Sequence, residues 1–364
     1  MKKYFLAIML TLALFLTGCK GTDGSKIKSN FIKNTNKINA YYMEGVLNLT
    51  NNEDTYQYDV EVSYAKNDYY KVVLTNKSND YEQIILRNDE GVYVITPALN
   101  KSFKFQSNWP YNNSQSYLLH SIKDDIEKDE NTDFEEKDGE YVFTTKVNYP
   151  NNKELTKQKV TIDKNMNLKK VEVLNKEGAS LITFTTTSID KKATFKDNYF
   201  EIDKNQEEID ENCKEDDCKK DQDNKVTENN NTDNNKTTDN NEKITEDKPT
   251  IKETIFPLNL PENTTLSNKE VISLDDGERI IMTFSGDSPF ILVEETAVKE
   301  KELTITPTYG EPFLLVDTVG SLTDISYTWT SNGIEYYIVS DVMSQNELLD
   351  VARSLNTVST ISTK

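Results

Sequence analysis

The stretch Thr55–Tyr64, with the sequence TYQYDVEVSY, decides how the first half of the chain folds. Tyrosine and valine occupy every second position, and mostly polar residues stand between them. Because successive side chains of an extended strand point to opposite faces, this alternation predicts a strand with one buried face and one solvated face. Such half-buried strands are typical of antiparallel sheets, so the flanking segments are expected to pair with it.

Short alternating segments recur outward from this stretch, separated by turn-forming residues such as Asn67 and Asp68. They predict roughly ten or eleven antiparallel strands, a sheet large enough to curl. Two segments, 29–42 and 114–128, have apolar residues at helical spacing instead and are predicted to cover the concave face. Residues 29–200 are therefore predicted to form a mainly β domain, a curled antiparallel sheet with covering helices.

Residues 201–249 contain 8 Lys and 17 Asp or Glu and almost no apolar side chains. Such a composition cannot bury enough apolar surface to offset chain entropy, and it predicts a disordered acidic linker. Cys213 and Cys218 lie within it, and two interpretations stay open for them, a local disulfide or free thiols. No further Cys or His lies nearby in sequence to complete a metal site.

Residues 250–364 predict a small α+β domain of short strands and one helix. The sequence Ser331-Asn332-Gly333 predicts a tight turn between two strands. Ser344 followed by Glu347 matches a capping box, which predicts a helix start at that point. This domain would follow the acidic linker and complete a two-domain chain.

The N-terminus has the pattern of a bacterial lipoprotein signal. Two lysines precede an apolar run that is too short for a membrane span, and Leu16, Thr17, Gly18 and Cys19 match the lipobox. We therefore predict a signal peptide over 1–18, a diacylglyceryl anchor on Cys19 and a lipidated tether over 19–28. The mature chain is expected at the extracytoplasmic face of the cell membrane, and the composition is typical of a low-GC Gram-positive bacterium.

Charge and composition exclude several function classes. The formal net charge of −20 makes nucleic acid a poor partner. The chain has a single histidine, His120, which we interpret as a solvated or hydrogen-bonded surface residue rather than a catalytic one. No catalytic group, metal site or cofactor is predicted, so a non-enzymatic role is expected.

The segment GVYVITPALNKSFKFQSNWPYNNSQSYLLHSIKDDI (Gly91–Ile126), the preceding YEQIIL and the lipobox resemble the sporulation lipoproteins of spore-forming Firmicutes. The first domain of that family has a LolA-like fold, an open half-barrel with helices plugging its mouth. The resemblance implies binding of a lipid, a lipoprotein or an envelope protein at a forespore or mother-cell membrane, in sporulation or germination. A sensor or regulatory module of a membrane signalling system is the alternative function.

Aromatic residues at alternating strand positions are the candidate binding residues. They would either line an apolar cavity able to hold an acyl chain or a partner's apolar segment, or fill a closed core under the helices. The residues concerned are Tyr56, Tyr58, Tyr64, Tyr93, Phe103, Phe105, Trp109 and Tyr117.

Overall fold

The computed structural model describes residues 23–51, 54–202, 249–315 and 317–355. The described residues form two large sheets and three α-helices, which are α1 (Gly24–Thr35), α2 (Leu119–Lys128) and α3 (Gln345–Leu355). The predicted signal peptide, the lipobox with Cys19, and the linker pair Cys213 and Cys218 lie outside the described residues. The predicted domain boundaries stay predictions.

The first sheet contains eleven consecutive strands from the predicted half-barrel and one strand from later in the chain. The eleven are β1 (Ala40–Asn51), β2 (Asp54–Ala65), β3 (Tyr69–Asn76), β4 (Glu82–Asn88), β5 (Gly91–Thr96), β6 (Lys101–Phe105), β7 (Asp133–Lys137), β8 (Glu140–Lys146), β9 (Lys157–Ile162), β10 (Leu168–Leu174) and β11 (Ser180–Asp190). The sheet order is β15-β6-β5-β4-β3-β2-β1-β11-β10-β9-β8-β7, where β15 is Thr304–Thr308. This confirms the predicted mainly β architecture.

The sheet curls around α1 and α2. Phe31 of α1 and Ile122 of α2 are fully buried in one apolar core with side chains from strands in both halves of the sheet. The Phe31 ring lies 6.5 Å from that of Phe143 on β8, and at the other side of the core the Tyr70 ring lies 5.9 Å from that of Trp109. A flat sheet could not bring these strands to the same two helices.

Both helices of this unit begin at positions that the sequence pattern did not predict. Asp23 accepts hydrogen bonds from the backbone N–H groups of Ser25 and Lys26, so α1 begins at Gly24, within the predicted tether. Residue 114 donates its N–H to the carbonyl of Asn148 at 2.8 Å. That contact holds residue 114 in an extended pairing with the chain after β8, and α2 begins only at Leu119.

The second sheet has the order β12-β13-β14-β19-β18-β17-β16, with every neighbouring pair antiparallel. Its strands are β12 (Thr264–Ser273), β13 (Glu278–Gly286), β14 (Phe290–Thr296), β16 (Glu311–Leu314), β17 (Val319–Leu322), β18 (Ser326–Ser331) and β19 (Ile334–Val339). The capping box is confirmed, because Glu347 accepts from the Ser344 N–H at 2.8 Å and donates its own N–H to the Ser344 hydroxyl. Helix α3 packs its apolar face on this sheet.

The two sheets are joined directly. Strand β15, expected from the sequence in the second domain, pairs in parallel with β6 and so extends the first sheet. Gln83 on β4 donates to the Val319 carbonyl at 3.0 Å and accepts from the Val319 N–H at 2.5 Å. Val319 itself is 3% exposed and belongs to the core of the first sheet. The second unit therefore completes the core of the first.

Candidate functional site between the two sheets

A cavity of about 1230 Å³ lies between the first sheet and the second unit. Strands β1 and β11 form one wall, because Leu47 pairs with Phe184 and Leu49 with Ile182 across the two strands. Leu47 and Leu49 are two residues apart and so point to the same face. The cavity-facing side of this wall is apolar, with Leu47, Leu49 and Ile182 in the lining.

The opposite wall comes from the second unit. Phe313 and Leu314 on β16, Leu315 just after it and Val351 on α3 line it. The segment before β12 adds Leu258 and Leu260, which are 65% and 39% exposed and form an apolar lip at the opening. Two sides of the cavity are therefore apolar. One of these walls belongs to each unit, so the cavity exists only because the two units lie against each other.

The predicted aromatic residues fall into three groups. Tyr58, Tyr64 and Phe105 are buried in the filled core under the helices, with Tyr56 and Phe103 packed against it. Trp109 and Tyr117 are buried in that core and also line the cavity. Tyr93 points to the other face of the sheet, where it packs in a cluster with Phe200, so its prediction as a lining residue was wrong.

Most of the apolar wall was missed by sequence reasoning. The aromatic pattern marks a core that is largely closed, whereas the open space is lined mainly by aliphatic side chains and by the second unit. The sequence around the missed residues gives only weak signals. Leu47 and Leu49 alternate with polar residues, and Leu258 and Leu260 lie beside prolines 257 and 261. Neither signal shows that two distant parts of the chain meet.

Charged side chains surround the opening, and most of them are acidic. The lining contains Arg353 and the carboxylates of Glu154, Glu262, Asp287, Glu347 and Asp350, all five of which are exposed. Arg353 pairs with Asp350 at 2.9 Å. Hydrogen bonds from Ser344 hold the pKa of Glu347 below its ordinary value, so this carboxylate is ionised. The cavity therefore has an excess of negative charge beside its two apolar walls.

His120 does not have the solvated environment expected from the sequence. Its ring lies 4.2 Å from that of Tyr64 and 6.0 Å from that of Tyr41, and within the described residues its buried Nδ1 has no hydrogen-bond partner. Burial lowers the pKa of His120 to about 4, helped by the nearby Lys123 charge. The imidazole is therefore neutral near pH 7 and acts as a packed aromatic ring outside the cavity lining.

A half-buried carboxyl group, that of Asp125, lies on α2 outside the cavity lining. Burial raises the pKa of Asp125 on α2 to about 6, against the hydrogen bonds that it accepts. One of these comes from the Gln158 Nε2 at 2.9 Å. Gln158 is 1% exposed, so the pair fixes α2 to β9 rather than facing a ligand.

The described part of the chain has neither a cluster of metal-ligating side chains nor a membrane-spanning helix. Among these residues, no three His, Cys, Asp or Glu side chains are grouped in a way that would hold a metal ion. None of their helices combines the length and apolar character needed to cross a membrane.

The fold and the cavity define a class of β-rich proteins in which a large curled sheet and a smaller sheet with its own helix enclose an apolar space. No family model matches the sequence. The sporulation protein YdcC of Bacillus subtilis (strain 168) is 31% identical over 358 residues, which cover 97% of each chain. The chain belongs to the family of this sporulation protein.

Several solved structures match this chain at low sequence identity and low TM-score. The Pseudomonas aeruginosa MucA/MucB complex contains a chain that is 12% identical, with 91% of this chain and 98% of that chain covered and a TM-score of 0.29. A putative outer membrane lipoprotein-sorting protein domain from Vibrio parahaemolyticus is 16% identical, with 49% and 97% covered and a TM-score of 0.32. The Clostridioides difficile complex of the CwlD amidase with the GerS lipoprotein has 18% identity, 49% and 98% coverage and a TM-score of 0.22.

Proposed function

We propose that the chain is a membrane-anchored extracytoplasmic lipoprotein without catalytic activity, which acts in sporulation or germination by holding an apolar ligand in the cavity between its two units. The ligand is the acyl chain of a lipid or lipoprotein, or an apolar segment of an envelope protein. Its attachment to the membrane is through a diacylglyceryl group on Cys19. No cofactor takes part.

The cavity is the observation that carries this proposal. Ligand sites in proteins are commonly concave spaces of about 300–1,000 Å³ with mostly apolar walls. The space here measures about 1230 Å³ and opens to solvent beside the exposed leucine lip. The space is an open cleft between the two units, with apolar side chains from both units in its lining. It supports a binding role.

A bulky side chain in the cavity should abolish ligand binding. Ile182 is half-buried and lines the wall, so the Ile182→Trp variant fills the space with an indole ring. Val271→Trp is the matched control, because Val271 is 57% exposed on β12 and does not line the cavity. We expect residues 20–364, purified without detergent, to carry a ligand in native mass spectrometry and to bind the neutral dye Nile red, with both signals lost in Ile182→Trp alone.

Three results would contradict the binding proposal. The first is a native chain that shows only its apo mass and gives no Nile red fluorescence. The second is equal dye binding by Ile182→Trp and the native chain. The third is an equal loss of dye binding in both tryptophan variants. Melting curves of all three proteins separate a blocked cavity from a general loss of folding.

The anchoring proposal has its own test. Replacing Cys19 by alanine removes the thiol that would carry the diacylglycerol, so labelling by radioactive palmitate should disappear and the chain should leave the membrane fraction. Cys213→Ala is the control and should keep its label. Absence of label in the native chain would overturn the anchor.

A second candidate function is a sensor or regulatory module that contacts a membrane protein through the second unit. Ile291 and Tyr337 are 40% and 39% exposed on the face of the second sheet that α3 leaves uncovered. Capture of a partner that survives Ile182→Trp and is lost in Tyr337→Glu would favour this function. Loss in Ile182→Trp would favour the cavity.

A further inference from the structure

The rim of the cavity indicates which kind of apolar ligand fits, and this step rests on the proposed function. Five of the six charged side chains in the lining are carboxylates. Glu154 pairs with Lys176 at 2.8 Å and Asp350 pairs with Arg353 at 2.9 Å. The remaining three, Glu262, Asp287 and Glu347, form no ion pair among the described residues, and they give the opening a negative potential.

Two of these carboxylates share one corner. Thr264 pairs with Gly286 across β12 and β13, which places Glu262 and Asp287 on neighbouring turns. Asn263 donates to Asp287 Oδ2 at 2.9 Å and so holds the turn that carries this carboxylate. The leucine lip at Leu258 and Leu260 precedes the same corner in the chain and also lines the cavity. A ligand entering here meets apolar and negative groups together.

An anionic headgroup gains little at this rim, because Arg353 and Lys176 are already paired with Asp350 and Glu154. The positive end of a helix dipole is the usual backbone site for an anion, but at α3 the Glu347 carboxylate already occupies it through the Ser344 N–H. An anionic lipid would place its phosphate or carboxylate among like charges, which is unfavourable even after screening by salt. Lysine or arginine side chains at the same place are attracted.

The polar part of the lining favours peptide groups over a hydrocarbon tail. Primary amides carry both a donor and an acceptor, which matches the N–H and C=O of a peptide bond, whereas an acyl chain can satisfy neither. The amides in the lining are Asn51, Asn113, Gln115, Asn151, Asn152, Asn175 and Asn259.

We propose that the ligand is an extended apolar protein segment with Lys or Arg residues beside it, whose apolar side chains enter the cavity and whose basic side chains bind the corner formed by Glu262 and Asp287. Charge complementarity of this kind raises the association rate and selects among partners more than it adds affinity. Binding should therefore weaken as salt is added, because exposed pairs are screened over a Debye length of about 10 Å at moderate salt.

The test uses three probes and two charge-neutralised variants of residues 20–364. The probes are a fluorescent apolar peptide flanked by lysines, the same peptide flanked by glutamates, and vesicles of phosphatidylglycerol. The rim variant combines Glu262→Gln with Asp287→Asn. The control variant combines Asp276→Asn with Glu302→Gln, two exposed carboxylates that do not line the cavity.

We expect the lysine peptide to bind best and its dissociation constant to rise about fivefold in the rim variant only, the size expected for two exposed ion pairs. Nile red binding should be unchanged in both variants, which shows that the cavity is intact. Equal binding of the two peptides with Nile red still bound, or preferential uptake of phosphatidylglycerol, would overturn this inference alone. Absence of Nile red binding would overturn the proposed function with it.

Discussion

Replacing Gln83 by alanine is expected to lower the free energy of unfolding by about 2–4 kcal/mol, because the side chain satisfies both backbone groups of Val319 in a buried position. Its Nε2 donates to the Val319 carbonyl at 3.0 Å, and its Oε1 accepts from the Val319 N–H at 2.5 Å and from the Thr318 hydroxyl at 3.1 Å. Gln83 is 5% exposed, so water cannot readily replace these bonds. The alanine variant leaves buried donors and acceptors without partners.

The two tryptophans of the chain can report whether the two units still unfold together when Gln83 is replaced. Trp109 lies in the core of the first sheet and Trp329 in that of the second. Variants in which phenylalanine replaces one tryptophan report each unit separately during urea unfolding. We expect the two transitions to coincide with native Gln83 and to separate in Gln83→Ala, because one of the links between the units is lost and their coupling is weakened.

Gln57→Ala is the matched control for this experiment. Gln57 is exposed on β2 and donates to Asn48, so its loss is expected to change stability by less than about 0.5 kcal/mol. Coincident transitions and an unchanged midpoint in Gln83→Ala would show that the two units are held together elsewhere, for instance by the pairing of β15 with β6.

Local features of this fold could be predicted from sequence because their causes are local. Asn67 and Asp68 both have positive φ, as the predicted hairpin turn requires, and Asn332 and Gly333 do likewise. The alternation in Thr55–Tyr64 gives strand β2, which pairs with β1 and β3 on either side. Each of these outcomes depends on residues within one hairpin.

The cavity could not be predicted because it depends on contacts between distant parts of the chain. Gln83 and Val319 are separated by 236 positions, and nothing in the residues around either one indicates the other. Tyr93 shows the same limit on a smaller scale. Alternation places it on one face of β5, but only the packing of Phe200 shows that this face lies outside the half-barrel.

Glu294 is the group whose titration should have the largest effect on stability. It lies on β14 between Ile280 and Tyr336 of the neighbouring strands and is fully buried. Its Oε1 accepts from the Ile255 N–H at 3.0 Å, while its buried Oε2 has no hydrogen-bond partner among the described residues. Burial raises the pKa of Glu294 from an ordinary 4.5 to about 7, and the Ile255 bond and the Lys269 charge only partly oppose this.

A carboxyl group whose pKa is higher in the folded state stabilises the fold at low pH and loses that contribution as pH rises. Below pH 4.5 Glu294 is protonated in both the folded and the unfolded chain. Between pH 4.5 and 7 Glu294 loses its proton only in the unfolded chain. Stability is therefore expected to fall by on the order of 3 kcal/mol across that window and then to level off. Glu294→Gln keeps the acceptor for Ile255 but cannot ionise, so its stability should not show this fall.

Urea unfolding at a series of pH values between 4 and 8 measures the effect as the difference between the native chain and Glu294→Gln. The difference is required because Asp125, with a pKa of about 6, also lowers the free energy of unfolding as pH rises, and it does so in both proteins. Glu270→Gln, at an exposed position on β12, is the control and should follow the native curve. The gap between the native chain and Glu294→Gln should widen in favour of glutamine from pH 4.5 to 7. Parallel curves would mean that Glu294 ionises at the same pH in the folded and unfolded chains. The segment through Ile255 would then be bound at neutral pH to a buried charge rather than to a neutral acid.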